Sequence, residues 1–116
     1  MKVKKNKFTI FEEFEGAKFE FCPLTPGALG RLIDLGAQGR GEELRIQQAM
    51  DGIVGWSEVY DDDDKPIPYS DKLKQKREAL SAFLEHVEGF AVFVADSINK
   101  AAAAKQEAEE ALTKNS

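Results

Sequence analysis

The segment FTIFEEFEGAKFEFC, residues 8–22, constrains the fold more than any other part of the chain. Phe19 and Phe21 alternate with charged or polar neighbours, and this period of two puts the aromatic side chains on one face of a half-buried strand. Gly16 can take the positive φ that a tight turn needs. The pattern predicts a β-hairpin over residues 8–22. Because two strands alone are only marginally stable in water, the hairpin must pack on another layer of structure.

That second layer is predicted to be helical. Thr25 is a suitable N-cap, and Pro26 suits the first helical position because its missing N–H costs nothing there. The helix is predicted to end at Gly36, with residues 36–41 forming a flexible break. We expect its inward-facing stripe to consist of Leu29, Leu32, Ile33 and Leu35.

A second helix is predicted from Glu42, where acidic side chains favour the positive end of the helix dipole. Its apolar positions at helical spacing are Ile46, Ala49, Met50, Ile53 and Val54. The chain is expected to leave the helix near Trp56. A third helix is predicted after Ser70 and Asp71, which are the expected capping residues. Its apolar positions, expected to face inward, are Leu73, Leu80, Phe83, Leu84 and Val87.

A bend at residues 88–90 is predicted to separate the third helix from a fourth. The fourth helix has apolar residues at Phe90, Phe93, Val94 and Ile98, followed by an alanine-rich segment, residues 99–116. Alanine favours helix because it loses no side-chain entropy, although it offers little surface to bury. This segment is therefore predicted to be a helix or a tail.

The chain of 116 residues is predicted to form a single small domain, 1–116. The expected fold class is mainly α with a short N-terminal β-hairpin, an α+β fold of about four helices. Residues 1–7 are expected to be a flexible N-terminus, and residues 26–98 the helical core.

Composition narrows the function classes. The formal net charge is −5, which argues against a nucleic-acid partner because phosphates require a basic face. No apolar run approaches the roughly 20 residues that span a bilayer, so no membrane partner is expected. Cys22 is the only cysteine, so the chain cannot form an intramolecular disulfide. A cytoplasmic location is the expectation.

The four consecutive aspartates, Asp61 to Asp64, are the most distinctive charged motif. A calcium loop needs Gly at its sixth position and Glu at its twelfth. Counted from Asp61, those positions hold Pro66 and Lys72. The run is therefore predicted to be a solvated loop with no metal ligands.

No residue pattern predicts catalysis or a cofactor. His86 has no second histidine nearby in sequence. Pro23 follows Cys22 and prevents a helix start that could activate the thiol, so a small core thiol is the preferred interpretation. We expect the protein not to be an enzyme, with no catalytic residues and no cofactor.

An interaction surface is the remaining candidate site. Large amphipathic side chains are concentrated around the aspartates, and such residues often anchor protein interfaces. The predicted partner-binding residues are Trp56, Val59, Tyr60, Ile67, Tyr69, Phe90 and Phe93. The alternative, that they close a small core, stays equally open. The alanine-rich end is a further candidate for self-association or partner docking.

The segment IVGWSEVYDDDDKPIPYSDKLK resembles the signature of tail assembly chaperones of long-tailed bacteriophages. In that family an apolar helix runs into a Trp, and an acidic turn leads to a proline-containing stretch that opens another helix. The matching positions are Val54, Trp56, Val59, Asp61 to Asp64, Pro66, Pro68, Tyr69 and Ser70. The ending ALTKNS, residues 111–116, also resembles the short forms of these proteins. A glycine common in the acidic turn of the family is missing here.

The resemblance implies a function. Such proteins bind the long helical tape measure protein, keep it soluble, and help recruit subunits of the tail tube protein. They act in the cytoplasm of the infected bacterial host and are absent from the mature virion, and many have a longer form made by ribosomal frameshifting. The resemblance thus implies the tape measure protein and the tail tube protein as partners, and self-association into a homo-oligomer would multiply weak contacts.

Two other functions stay open. The first is an acidic adaptor or inhibitor that occludes a basic, DNA-binding surface of a partner through Asp61 to Asp64. Its binding should weaken steeply with salt, whereas apolar shielding should not. The second is a small metal-dependent enzyme, which would need a metal that survives dialysis.

Overall fold

The computed structural model describes residues 8–114, in which three strands and four helices form an α+β fold, as predicted. The predicted flexible N-terminus, residues 1–7, lies outside the described residues. The elements in chain order are β1 (Ile10–Phe14), β2 (Ala17–Phe21), α1 (Pro26–Ala37), α2 (Gly41–Gly52), β3 (Ile53–Ser57), α3 (Leu73–His86) and α4 (Phe90–Lys114). Among the described helices, none combines the length and the apolar character needed to cross a membrane.

The N-terminal hairpin is confirmed. β1 and β2 pair antiparallel, from Ile10 opposite Phe21 to Phe14 opposite Ala17. Two residues form the turn, Glu15 with φ of 49° and Gly16 with φ of 83°. Positive φ at both central positions matches the right-handed twist of the two strands, which is why this turn geometry joins hairpins.

A third strand replaces the predicted end of the second helix. We expected Ile53 and Val54 to continue that helix, but α2 ends at Gly52 and Ile53–Ser57 pairs antiparallel with β2. The backbone N–H of Cys22 donates to the Gly52 carbonyl at 2.9 Å and joins the two elements where β3 begins. The open edge of β2 offers unpaired backbone groups, and β-branched residues fit a strand well. Sheet pairing therefore overrides the helical spacing.

The start of α1 is confirmed, and its end is one residue later than predicted. The Thr25 hydroxyl accepts a hydrogen bond from the Ala28 N–H at 3.1 Å, and Pro26 is the first helical residue. The helix ends at Ala37 instead of Gly36. The predicted flexible break is a hydrogen-bonded turn, in which Gly39 has φ of 71° and its N–H donates to the Gly36 carbonyl at 3.1 Å.

The predicted inward stripe of α1 is only half right. Leu32 is buried, and Ala28 is buried beside it, whereas Leu29 is 48% exposed and Ile33 is 71% exposed. The reason is that α1 packs against α2, and a helix with one neighbouring layer buries only one narrow face. The second apolar face of α1 is left open.

The start of α3 also differs from the prediction. Lys72, not Ser70 or Asp71, occupies the N-cap position, and its side chain makes no capping hydrogen bond. Ser70 instead accepts a hydrogen bond from the Lys72 N–H at 3.2 Å, which forms a local turn before the helix. Leu73 is the first residue of α3 and is 75% exposed. The remaining predicted stripe faces inward, with Leu80 and Phe83 buried and Leu84 and Val87 half-buried.

The core lies between one face of the sheet and the helices α2, α3 and α4. The predicted bend after α3 is confirmed at Gly89, whose φ is 81°. Phe90 then opens α4 and packs edge-on to Phe83, with ring centroids 5.6 Å apart. Phe19 of β2 packs against Phe90 at 5.5 Å. Such aromatic pairs contribute roughly 0.5–1.5 kcal/mol each beyond their buried area.

The last part of α4 leaves the core. Within the described residues Ala101 is the last buried one, and residues 102–113 are half-buried or exposed while remaining helical. The alanine-rich segment is thus a helix through Lys114. Contacts within the helix, such as the ion pair of Lys105 with Glu109 at 3.7 Å, stabilise this part of α4.

Substitution of glycine by alanine is expected to have opposite effects on the free energy of unfolding at two helical positions, Gly52 and Gly30. A Cβ on Gly52 would lie 2.6 Å from Cγ1 of Ile98, which is buried and cannot move away, whereas a Cβ on Gly30 would have no neighbour within 4 Å. Gly52→Ala should lower the free energy of unfolding by about 1–3 kcal/mol through overpacking. Gly30→Ala should raise it by about 0.5–1 kcal/mol because alanine favours helix. Urea unfolding of both variants checks this, and stabilisation of Gly52→Ala would contradict the packing at Ile98.

Candidate protein-binding surfaces

Six of the seven predicted partner-binding residues belong to the core or pack against it, among them the aromatic residues Phe90, Trp56 and Phe93. Phe90 and Trp56 are buried. Phe93 is half-buried and packs on Phe14 with ring centroids 4.7 Å apart. Packing of this kind occupies the apolar faces of the three rings. For these residues the geometry favours the alternative interpretation, in which they close a small core.

The segment between β3 and α3 folds back over the sheet through Trp56. The indole N–H of Trp56 donates to the Ile67 carbonyl at 2.8 Å. The Tyr69 ring packs edge-on to Trp56 with centroids 4.9 Å apart, and the Ile67 N–H donates to the Val59 carbonyl at 2.8 Å. Val59, Ile67 and Tyr69 are half-buried as a result. They cover the Trp56 side of the core instead of forming a free patch.

The aspartates form the exposed tip of this segment. The Asp61 side chain accepts hydrogen bonds from the backbone N–H groups of Asp63 at 2.9 Å and Lys65 at 3.0 Å. Asp64 has φ of 57°, which lets the loop close, and Tyr60 pairs with Pro66 across its base. Among residues 8–114, no cluster of three or more His, Cys, Asp or Glu is placed to hold a metal ion. The run is a solvated, ordered loop.

Of Asp61 and Asp62, we expect only Asp61 to stabilise this loop. Asp61→Ala removes two hydrogen bonds from backbone N–H groups, so we expect a loss of about 1 kcal/mol in the free energy of unfolding. Asp62→Ala removes an exposed carboxylate among like charges, and the change should stay within about 0.5 kcal/mol. Urea unfolding, with amide exchange at Asp63 and Lys65, measures both effects. Equal effects of the two substitutions would contradict the hydrogen bonding of Asp61.

A cleft of about 260 Å³ lies beside the hairpin turn and brings Val59, Tyr60 and Phe90 together. Most of its lining residues are apolar or aromatic, and the two acidic residues that line it are Glu15 and Glu58. Tyr60 is 52% exposed, and its hydroxyl donates to Glu58 at 2.7 Å. That hydrogen bond, with the negative charge of Glu58, raises the pKa of Tyr60. Of the predicted partner-binding residues, Tyr60 is the one that the structure presents to solvent.

The outer face of α1 is a second apolar surface, which the sequence analysis assigned to the core. Leu29 and Ile33 are exposed and one helical turn apart, and Gly30 beside them has open space where a side chain would stand. The sequence contained a signal for this. The pairs Ala28–Leu29 and Leu32–Ile33 make the apolar stripe of α1 too wide for a helix that contacts one layer.

A buried lysine was also missed. Lys76 of α3 is 7% exposed, and its ammonium donates to the Met50 carbonyl at 2.8 Å. It lies 5.5 Å from the centroid of the Tyr69 ring. Burial lowers its pKa, and the neighbouring Cys22 and Asp51 offset part of this. The lysine joins α3 to the end of α2, which is a structural role.

The lowered pKa of Lys76 predicts how stability depends on pH. Because its folded-state pKa lies below the ordinary value of 10.5, the unfolded chain binds more protons between the two values. The contribution of Lys76 to the free energy of unfolding should therefore rise with pH across that window. We expect the difference between the wild type and Lys76→Met to rise in the same way.

The comparison is made by urea unfolding in a Cys22→Ala background. This removes the thiol, whose own pKa is raised by burial and whose titration acts in the opposite direction. A difference between the two proteins that falls with increasing pH would contradict the assigned direction.

Comparison with known proteins adds no assignment. No protein-family model, no curated protein and no solved structure matches the chain. The structure presents three candidate binding surfaces: the exposed face of α1, the cleft at the hairpin turn, and the acidic loop.

Proposed function

We propose that the protein is a tail assembly chaperone of a long-tailed bacteriophage, without enzymatic activity. In this proposal it binds the tape measure protein in the cytoplasm of the infected bacterium, keeps it soluble, and helps to recruit tail tube subunits. It is absent from the mature virion. The observation that carries the proposal is the exposed apolar face of α1 formed by Leu29 and Ile33.

This face suits a helical client. Single exposed apolar residues are common on protein surfaces and need no explanation. Two large aliphatic side chains four positions apart on one helix are different, because residues at this spacing are neighbours on the helix surface and helix-in-groove contacts use such anchors. The open space at Gly30 lets a second backbone approach closely.

The end of α4 supports the proposal because it extends beyond the core and offers a second surface for contact. Residues 102–113 extend the helix beyond the core, and Leu112 near its end is exposed. A second weak contact on the same molecule raises the effective concentration of the first. A long helical client could in this way be held at several points by copies of a small protein.

The acidic adaptor is the second candidate, and the exposed loop of Asp61 to Asp64 favours it. Its binding would depend on charges in solvent, which are screened beyond a Debye length of about 8 Å at physiological ionic strength. Contacts made by Leu29 and Ile33 would not be screened. Salt dependence of client binding therefore separates the two proposals.

Co-expression with a tape measure protein tests the chaperone proposal. The wild type should increase the soluble fraction of the client severalfold and co-purify with it at both low and high salt. Absence of rescue and of co-purification would count against the proposal. Co-purification at low salt with release of the client at high salt would favour the acidic adaptor.

Substitutions of exposed aliphatic residues on α1 and on α3 test whether the α1 face in particular is needed for the rescue. Leu29→Ser with Ile33→Ser should reduce the rescue severalfold, because both anchors are removed from the surface while the core is unchanged. Leu73→Ser changes another exposed aliphatic residue, at the start of α3, and should retain the rescue. Equal loss in both variants would show that the α1 face has no special role.

A further inference from the structure

We propose that the cleft at the hairpin turn is a docking site for a segment of a partner protein in which a large apolar side chain is flanked by Lys or Arg. This inference does not depend on the tape measure protein being the client. It uses a different surface from Leu29 and Ile33, so either proposal can fail while the other stands.

The size of the cleft favours a side chain over a cofactor. Its volume is about 260 Å³, below the roughly 300–1,000 Å³ of pockets that enclose small molecules. Of its lining residues, Phe19 and Phe90 are buried in the core, whereas the half-buried Phe14, Val59 and Val87 supply accessible apolar surface. A cleft with this lining accepts an apolar group of modest size.

The negative charge of the lining residues determines which residues can flank the entering apolar side chain. Glu15 and Glu58 both line the cleft and are exposed, and within the part of the chain that the structure describes no Lys, Arg or His lines it. A cation next to the entering side chain would meet two carboxylates, whereas a carboxylate or phosphate would be repelled. The complementary partner is therefore a segment that is apolar at its centre and basic on either side.

The first residues of the chain meet the same chemical description. In the sequence, Lys2 precedes Val3, and Lys4, Lys5 and Lys7 follow it. Residues 1–7 are therefore a competitor for the cleft that the experiment must test, in the same copy or in another. We assign the cleft to a partner protein, and the experiment includes this competitor as an outcome.

The test uses the full chain labelled with ¹⁵N and three hexapeptide probes. The first is Lys-Lys-Leu-Phe-Lys-Lys, the second replaces its lysines by glutamates, and the third replaces Leu-Phe by Ser-Ser. The first should shift the amide signals of Glu15, Glu58 and Tyr60 and bind at least about tenfold more tightly than the other two. Equal binding of the glutamate peptide, shifts elsewhere, or no binding would overturn the proposal.

Variants locate the site. Glu58→Lys and Tyr60→Ser should each weaken binding of the first peptide about tenfold, whereas Glu85→Lys, an exposed position on α3 outside the cleft lining, should leave it unchanged. Unchanged binding by both cleft variants would overturn the proposal. Replacing Lys2, Lys4, Lys5 and Lys7 by Gln should not change the affinity. A tenfold gain would show that the chain's own lysines occupy the cleft and would overturn the assignment to a partner.

Discussion

Pairing of β3 with the open edge of β2 is the constraint on which the rest of the structure depends. The hairpin alone could not bury Phe19 and Phe21, because two strands present too narrow a face. β3 makes β2 the central strand of the sheet and places Trp56 directly opposite Phe19. α4 packs against β1 and β2 of this sheet, and Trp56 of β3 extends the aromatic core to Phe83 of α3, with ring centroids 5.4 Å apart. The pairing therefore joins the hairpin side of the core to α3.

The same pairing decides which of the aromatic residues remain at the surface. Once Trp56 is fixed in β3, its indole N–H needs an acceptor, because a buried donor without a partner is costly. The Ile67 carbonyl supplies it at 2.8 Å, and this contact pulls the following segment back over the sheet. The aspartates are thereby left at the exposed tip, and Tyr60 is left at the edge of the cleft. A buried hydrogen bond thus sets the position of the exposed surface.

The sequence correctly predicted those features that depend on interactions between adjacent residues. The hairpin, the cap at Thr25 and the break before Phe90 follow from the chemistry of a few adjacent residues. β3 could not be found in this way, because Ile53 fits the helical spacing of α2 equally well and only the distant edge of β2 decides between the two. The outward face of α1 depends on how many layers contact it. The cleft was invisible because it joins Glu15 to Glu58, which no periodicity relates.

The acidic surface and the exposed apolar groups are best understood together. A protein that exposes Leu29 and Ile33 risks binding its own copies through the same face, and a net charge of −5 opposes such contacts through mutual repulsion. Under the two proposals, a client with basic residues beside its apolar ones would escape that repulsion and would gain attraction at Glu15 and Glu58. Charge would then discriminate between self and client, while apolar contact supplies the affinity. Self-association along such a client would then need the client's positive charges to bring the copies together.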